Sequence, residues 1–162
     1  EKGIKIVLNP APAAAVPMEI IDKVTYVTPN EHEAVLIFGD ELSTEDLLRK
    51  YPEKLVITQG SRGVSTCLKD GQILNVPARK AQVVDTTGAG DTLNGAFSVQ
   101  IAEGKAIEDA LAYANVAASL STEKFGAQTG MPTAEEVETA LKILNGESVE
   151  KEIPVEMELI TK

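Results

Sequence analysis

Short apolar runs alternate with short amphipathic segments along the first third of the chain. Runs of strand length lie at Ile4–Leu8, Val24–Thr28 and Leu55–Thr58. Strands that are separated by helices imply a parallel sheet with helices on its faces, so the pattern predicts an α/β fold. The intervening helices are expected at Met18–Asp22, Glu31–Ile37 and Thr44–Lys50.

The second part of the chain changes from strands to helices. Val64–Leu68 and Gln72–Val76 flank Lys69-Asp70-Gly71, and two apolar runs around such a turn predict a β-hairpin. Ala81–Val84 predicts one more strand before a glycine turn. After that turn the apolar positions recur at helical spacing. Helices are expected at Ala89–Glu103, Ile107–Thr122 and Thr133–Asn145.

Composition and charge narrow the class of protein. The chain has 162 residues, of which 43% are hydrophobic, and this suffices for one buried core. Acidic residues number 25 against 15 basic ones, and the net charge of -10 argues against binding to nucleic acid or to a membrane surface. One cysteine excludes an internal disulfide, and no apolar stretch is long enough to cross a bilayer. We expect one soluble, cytoplasmic domain over residues 1–146 and a charged tail or edge strand over residues 147–162.

Residues 85–98 combine two acids with a glycine turn that precedes a predicted helix. Gly88, Ala89 and Gly90 leave their backbone N–H groups unshielded, so these groups can point together at an anion from a helix N-terminus. Asp91 stands where those donors converge, as a base would that accepts a proton from an attacking hydroxyl. The alternative is a purely structural turn between a strand and a helix. The second acid, Asp85, makes phosphoryl transfer the favoured interpretation.

Four further segments, together with this turn, resemble the ribokinase-like (PfkB) family of sugar and nucleoside kinases. The similarity covers about residues 4–145, and the segments occur in the family's order. It implies a Rossmann-like three-layer α/β/α core in which ligands collect beyond the carboxyl ends of the strands. Because Glu1 leads almost directly into the first strand, we expect a chain truncated at the N-terminus relative to that family. The four segments are Asn9–Ala13, Thr28–Ala34, Thr58–Val64 and Lys124–Gln128.

The resemblance also implies a site for ATP and magnesium. Asn30 would contact the phosphates, and Glu33 would hold Mg2+ with its water shell. From the residues alone, Asn30 and Glu33 fit a capping pair at a helix start equally well, and both roles can hold at once. Arg62 could meet phosphate or face water. The other residues implied for the nucleotide are Thr58, Gly60, Ser61, Gly63, Gly90 and Asn115.

A monovalent cation, K+, is implied beside the glycine turn. Asp85 would be its acidic ligand, and the cation would offset the repulsion between Asp85 and Asp91. Position 130 departs from the family, where a hydroxyl residue is usual, because this chain has Gly130. The other implied ligands, mostly through backbone oxygen, are Thr87, Ser121, Lys124 and Gly126.

The implied activity is transfer of the γ-phosphoryl group of ATP to a primary hydroxyl of a pentose, with ribose giving ribose 5-phosphate. Asp91 would bind the sugar hydroxyl and act as the base, and the amides of Gly88, Ala89 and Gly90 would neutralise developing charge. The full-length enzyme is expected to be a homodimer. Two alternatives stay open: another sugar or nucleoside kinase of the family, or a non-catalytic nucleotide-binding fragment that is inactive alone.

Overall fold

The computed structural model describes residues 3–149, which form five strands and six α-helices. The strands are β1 (Val7–Leu8), β2 (Tyr26–Val27), β3 (Val56–Thr58), β4 (Val64–Cys67) and β5 (Ile73–Val76). The helices are α1 (Met18–Lys23), α2 (Glu31–Phe38), α3 (Thr44–Lys50), α4 (Ala89–Ala102), α5 (Ile107–Ser121) and α6 (Ala134–Leu144). A single 3-10 turn, Gly60–Arg62, separates β3 from β4.

The strands line up in chain order, with a parallel half and an antiparallel half. β1 pairs with β2 in parallel, and β3, β4 and β5 form an antiparallel sheet in that order. Parallel bridges from Val27 to Leu55 and from Asn30 to Thr58 join the two parts. The predicted parallel strands therefore correspond to β1, β2 and β3, and the predicted hairpin is confirmed as β4 and β5.

Helices pack on both faces of the strands. Leu55 and Ile57 belong to a buried cluster with α1, α2 and α3, whereas Val56 packs with Phe97 of α4 and Leu111 of α5. This division arises because successive side chains of a strand point to opposite faces of the sheet. The three-layer α/β/α core predicted from the sequence is confirmed.

The structure departs from the predicted strands in two ways. The prediction of a strand at Ala81–Val84 is wrong, since this segment is irregular and the Val84 N–H donates to the Thr122 carbonyl at the end of α5, at 2.7 Å. The end of a helix thus supplies the hydrogen-bond acceptor that a neighbouring strand would have supplied in a sheet. The first two strands are also shorter than the predicted Ile4–Leu8 and Val24–Thr28, and the side chains of Ile4 and Ile6 are exposed.

Both ends of α6 are capped. Thr133 and Glu136 form a reciprocal capping box at the start of α6, and Gly146 adopts a φ of +78° just after its end. Within residues 3–149, no helix combines the length and apolar character that a bilayer span requires. Of the predicted tail, residues 147–149 form neither helix nor strand, and the rest lies outside the described residues.

Candidate active site

An open cleft of about 640 Å³ lies where four parts of the chain meet. These parts are the loop after β3, the irregular segment after β5, the first turn of α4 and one face of α5. The lining residues are Thr58, Gly60, Ser61, Gly63, Ala78, Arg79, Lys80, Ala81, Val83, Thr86, Ala89, Gly90, Leu93, Asn115, Ala118, Ser119 and Thr122.

Seven of the candidate residues from the sequence line this cleft, and the other eleven do not. Those that line it are Thr58, Gly60, Ser61, Gly63, Ala89, Gly90 and Asn115. Outside the lining are Asn30, Glu33, Arg62, Asp85, Thr87, Gly88, Asp91, Ser121, Lys124, Gly126 and Gly130.

The glycine turn begins α4, with Gly88 as its N-cap residue. Gly88 has a φ of +80°, and a Cβ atom there would lie 3.0 Å from the Cβ of Ala127, so the position requires glycine. The Ala89 N–H donates to the Thr86 carbonyl at 3.2 Å, and it is therefore already engaged. The N–H groups of Gly90 and Asp91 belong to the first turn, which has no preceding helical carbonyls to bond. These two N–H groups add to the positive charge at the N-terminal end of the helix dipole, and the exposed Asp91 carboxylate lies beside them.

Gly63 fixes the loop after β3 against the segment after β5. Its φ is +96°, and a Cβ atom there would lie 2.0 Å from the Val76 carbonyl oxygen and 2.7 Å from the Ala78 nitrogen. Glycine is needed for this close approach of two backbones, in addition to its backbone freedom. Two walls of the cleft therefore meet at Gly63.

Asn115 holds the same segment from the side of α5. Its side chain is buried, and its Nδ2 donates to the carbonyls of Val76 at 3.1 Å and Pro77 at 2.8 Å. A buried amide needs such partners, and here they also position the residues that follow β5. Asn115 thus both lines the cleft and supports its wall.

Asn30 and Glu33 form the capping pair that the sequence allowed. Asn30 Oδ1 accepts from the Glu33 N–H, and Glu33 Oε2 accepts from the Asn30 N–H, both at 2.8 Å. Asn30 is also bridged to Thr58 through the backbone, which brings this pair next to the cleft. The structural role is therefore present, and a second role toward phosphate or magnesium is compatible with the position.

Arg62 makes an ion pair with Glu31 of α2, although both side chains are largely exposed. An exposed ion pair contributes little to stability, about 0–1 kcal/mol. The Arg62 guanidinium therefore stays near the cleft entrance and is held only weakly by Glu31.

Asp85 joins the glycine turn to the loop after α5. Its Oδ1 accepts from the Thr87 N–H and its Oδ2 from the Gly126 N–H, both at 2.9 Å. The Thr87 hydroxyl, followed by the N–H groups of Thr87 and Gly126, holds the pKa of Asp85 below its ordinary value. Asp85 is therefore ionised at neutral pH.

The backbone oxygens implied as K+ ligands crowd around Gly130. A Cβ atom there would lie 2.7 Å from the Ser121 oxygen, 2.8 Å from the Gly126 oxygen and 3.5 Å from the Lys124 oxygen. Carbonyl and carboxylate oxygens suit a hard cation, so the donor chemistry fits K+. Gly130 itself offers no side-chain ligand. Among residues 3–149, no three His, Cys, Asp or Glu side chains gather as a metal site.

Ten lining residues were not expected from the sequence, and half of them belong to the irregular segment over residues 78–83. Arg79 pairs with Glu123 at 2.7 Å, and Lys80 is exposed beside it. Ser119 of α5 and Thr122, the residue that caps the end of α5, follow Asn115 at spacings of four and seven residues. That spacing places them on one helix face, and it was the signal available in the sequence.

Comparison with known proteins agrees with this arrangement. Residues 1–134 match the pfkB family of carbohydrate kinases. A ribokinase of Bacillus subtilis is 54% identical over 138 residues, which are 85% of this chain and 46% of that protein. The chain thus spans about half the length of the curated relatives that it matches.

Solved structures agree as well. The Arabidopsis thaliana ribokinase complexed with ribose and ATP superposes with a TM-score of 0.77 at 31% identity, covering 86% of this chain and 48% of that one. A Burkholderia thailandensis nucleoside kinase in complex with inosine gives a TM-score of 0.77 at 27% identity, covering 90% and 50%. Family match, sequence identity and fold agree, and this chain belongs to the pfkB family of carbohydrate kinases.

Proposed function

We propose that this chain supplies the nucleotide-binding part of an ATP-dependent sugar kinase, and that the full-length protein phosphorylates ribose to ribose 5-phosphate. The observation that carries the proposal is the electrostatic character of the cleft. Within the described part of the chain, its charged lining residues are Lys80 and Arg79, the latter paired with Glu123 outside the lining, and no carboxylate lines the cleft. In a chain of net charge -10, such a lining favours an anionic ligand.

The phosphates of ATP would lie against the first turn of α4. The N–H groups of Gly88, Gly90 and Asp91 would bind the transferred phosphoryl group as its charge develops, and preorganised donors are most effective at that point. The Ala89 N–H would join them only if it left the Thr86 carbonyl. Thr58, Gly60, Ser61 and Gly63 would contact the nucleotide from the opposite wall, with Asn115 beside the base.

Asp91 would act as the general base. Its carboxylate accepts the proton of a sugar hydroxyl, the hydroxyl oxygen forms a bond to the γ-phosphorus, and the bond between that phosphorus and the β–γ bridging oxygen breaks to release ADP. Glu33 would hold Mg2+ with its water shell, a cation that neutralises phosphate charge, and Asn30 would contact the phosphates. Arg62 can leave Glu31 to meet a phosphate, because the ion pair is exposed.

Ribose is the proposed acceptor because a relative named ribokinase is 54% identical to the chain. The nucleoside kinase of the same fold favours a second candidate, phosphorylation of a nucleoside. A third candidate function applies to the 162-residue chain by itself, which would bind a nucleotide without catalysing a reaction. We also propose K+ at the oxygens around Gly130, and a homodimer for the full-length protein.

A substrate panel tests the proposal. The full-length protein is assayed for ADP release with ribose, other pentoses, hexoses and nucleosides, and ATP binding to the 162-residue chain is measured by calorimetry. We expect ribose to give the highest kcat/KM, and the chain alone to bind ATP with Mg2+ but to phosphorylate nothing. A nucleoside that exceeds ribose would favour the second candidate, and no turnover with any acceptor would contradict the proposal.

A further inference from the structure

Asn94 connects the first turn of α4 to the central sheet. Its Nδ2 donates to the Gly90 carbonyl at 2.9 Å, and its Oδ1 accepts from the Thr28 hydroxyl at 2.5 Å. The orientation of the amide is fixed, because the Gly90 carbonyl can only accept and the Oδ1 atom is then left to face the hydroxyl. The contact spans 66 residues of sequence.

Thr28 is a rigid point of attachment. It is buried directly after β2, and its N–H donates to the Leu8 carbonyl at 2.9 Å. Its hydroxyl also lies 3.3 Å from that carbonyl. The position of the hydroxyl is therefore set by the sheet and does not depend on α4.

The carbonyl that Asn94 holds is one end of the Gly90–Asp91 peptide group. A peptide group is planar, so fixing the Gly90 oxygen also fixes the direction of the Asp91 N–H and the position of the Asp91 Cα. Glycines at positions 88 and 90 give this turn little conformational preference of its own. Two side chains of α4 help to hold it: the Thr92 hydroxyl donates to the Gly88 carbonyl at 2.9 Å, and the Asn94 amide donates to the Gly90 carbonyl.

We propose that Asn94, held by Thr28, is the positioning residue that orients the Gly90–Asp91 peptide group for phosphoryl transfer. The proposal rests on the proposed function, since it gives that peptide group its role. Neither side chain needs to touch a substrate. Losing the contact would misdirect one N–H donor and the base together, which lowers the rate of the chemical step more than it weakens binding.

The kinetic test compares substitutions in the full-length protein. Thr28→Val removes the hydroxyl at nearly constant shape, Asn94→Ala removes the amide, and Thr28→Ser restores the hydroxyl. The matched control is Thr66→Val, because Thr66 is another buried threonine whose hydroxyl donates to a backbone carbonyl, that of Leu55 at 2.8 Å. It measures the cost of losing a buried hydroxyl away from α4.

We expect Thr28→Val and Asn94→Ala each to lower kcat about tenfold with KM for ATP changed less than about twofold, since small misplacements at a reacting centre are costly. The double variant should lose no more than the worse single one, because both act on one contact. Thr28→Ser should recover most of the rate. Equal loss in Thr66→Val, or no rescue by Thr28→Ser, would overturn the proposal.

A second measurement separates this inference from the proposed function. In the 15N-labelled 162-residue chain, Thr28→Val should shift the amide resonances of Gly90 and Asp91, whereas Thr66→Val should leave them in place. Unchanged resonances in Thr28→Val would overturn the proposal even in an active kinase. If no acceptor is phosphorylated, the proposed function fails and the resonances still decide whether the contact orients the turn.

Discussion

Asp85 and Gly126 are joined by a hydrogen bond across 41 residues of sequence, with the Gly126 N–H donating to Asp85 Oδ2 at 2.9 Å. The bond holds the loop after α5 against the turn that begins α4. The hydroxyl and the N–H of Thr87, followed by the Gly126 N–H, hold the pKa of the Asp85 carboxylate below its ordinary value of 3.8. Its ionised form therefore stabilises the loop contact.

The first prediction concerns the pH dependence of this contact. A carboxyl whose pKa is lowered by folding stabilises the folded state fully above its unfolded pKa, and loses that contribution as the pH falls through the lowered value. The Gly126 amide should therefore stay protected from hydrogen exchange at neutral pH and lose protection below about pH 3.8.

Substitution tests the same contact at neutral pH. Asp85→Asn should speed exchange of the Gly126 amide, whereas Asp70→Asn should not. Asp70 is a matched control because its Oδ1 accepts from the Gln72 N–H at 2.9 Å, the same local geometry without the distant partner. Unchanged protection of Gly126 in Asp85→Asn would show that the bond does not hold the loop.

The second prediction concerns the close approach at Gly63. Gly63→Ala should destabilise the 162-residue chain by about 1–3 kcal/mol more than Gly71→Ala, measured by urea unfolding. Both glycines have a positive φ, but a Cβ atom at Gly71 would have no protein atom within 4 Å. The difference thus isolates the contact with the Val76 carbonyl. Equal destabilisation would mean that the two walls of the cleft can separate easily.

The third prediction distinguishes a ligand site from a structural turn. A Cβ atom at Gly90 or at Gly95 would have no protein atom within 4 Å, but only Gly90 lines the cleft. Gly95→Ala should stabilise α4 by about 0.5–1 kcal/mol and leave ATP binding unchanged. Gly90→Ala should not destabilise the chain, but its methyl group should occupy the space of a phosphate and abolish binding in calorimetry. Normal ATP affinity in Gly90→Ala would argue against phosphate at this turn.

The fourth prediction concerns the cation beside Gly130. Potassium should raise the turnover of the full-length protein above that in sodium at equal ionic strength, since oxygen-lined sites discriminate by size and ligand number. The family pattern alone would favour a hydroxyl at this position, but in this chain Gly130→Ser should remove the difference, because its Cβ would displace the Ser121 and Gly126 carbonyls. Gly95→Ser is the control in open space. Equal rates in the two salts for the unsubstituted protein would leave Asp85 with its structural role alone.

Turns and capping hydrogen bonds could be predicted from the sequence where the interacting residues lie close along the chain. The hairpin around Lys69-Asp70-Gly71 and the capping pair of Asn30 and Glu33 depend on neighbours within a few residues, and both are present. The prediction of a strand at Ala81–Val84 was wrong because the backbone hydrogen-bond partner of this segment is Thr122, far along the chain. No local pattern reports such a partner.

The same distinction explains which site residues were found. Gly63 was named because the family resemblance implies it for the nucleotide, but the structure adds the close approach to the Val76 carbonyl, which depends on how β4 and β5 are placed. Arg79 and Lys80 were missed because a charge in an irregular segment resembles any solvated residue until the cleft is visible. Asn94 was not distinguished from a surface residue of α4, since its partner Thr28 lies on another element.

The most direct test of the account is Asp91→Asn in the full-length protein, with Asp109→Asn as the control, because Asp109 is also an acid in the first turn of a helix, α5. Asp91→Asn should bind ATP with nearly unchanged affinity by calorimetry while turnover with the preferred acceptor falls at least about a hundredfold, the usual contribution of a general base. Asp109→Asn should retain full turnover. Retention of more than about a tenth of the turnover in Asp91→Asn would contradict the assignment of Asp91 as the base.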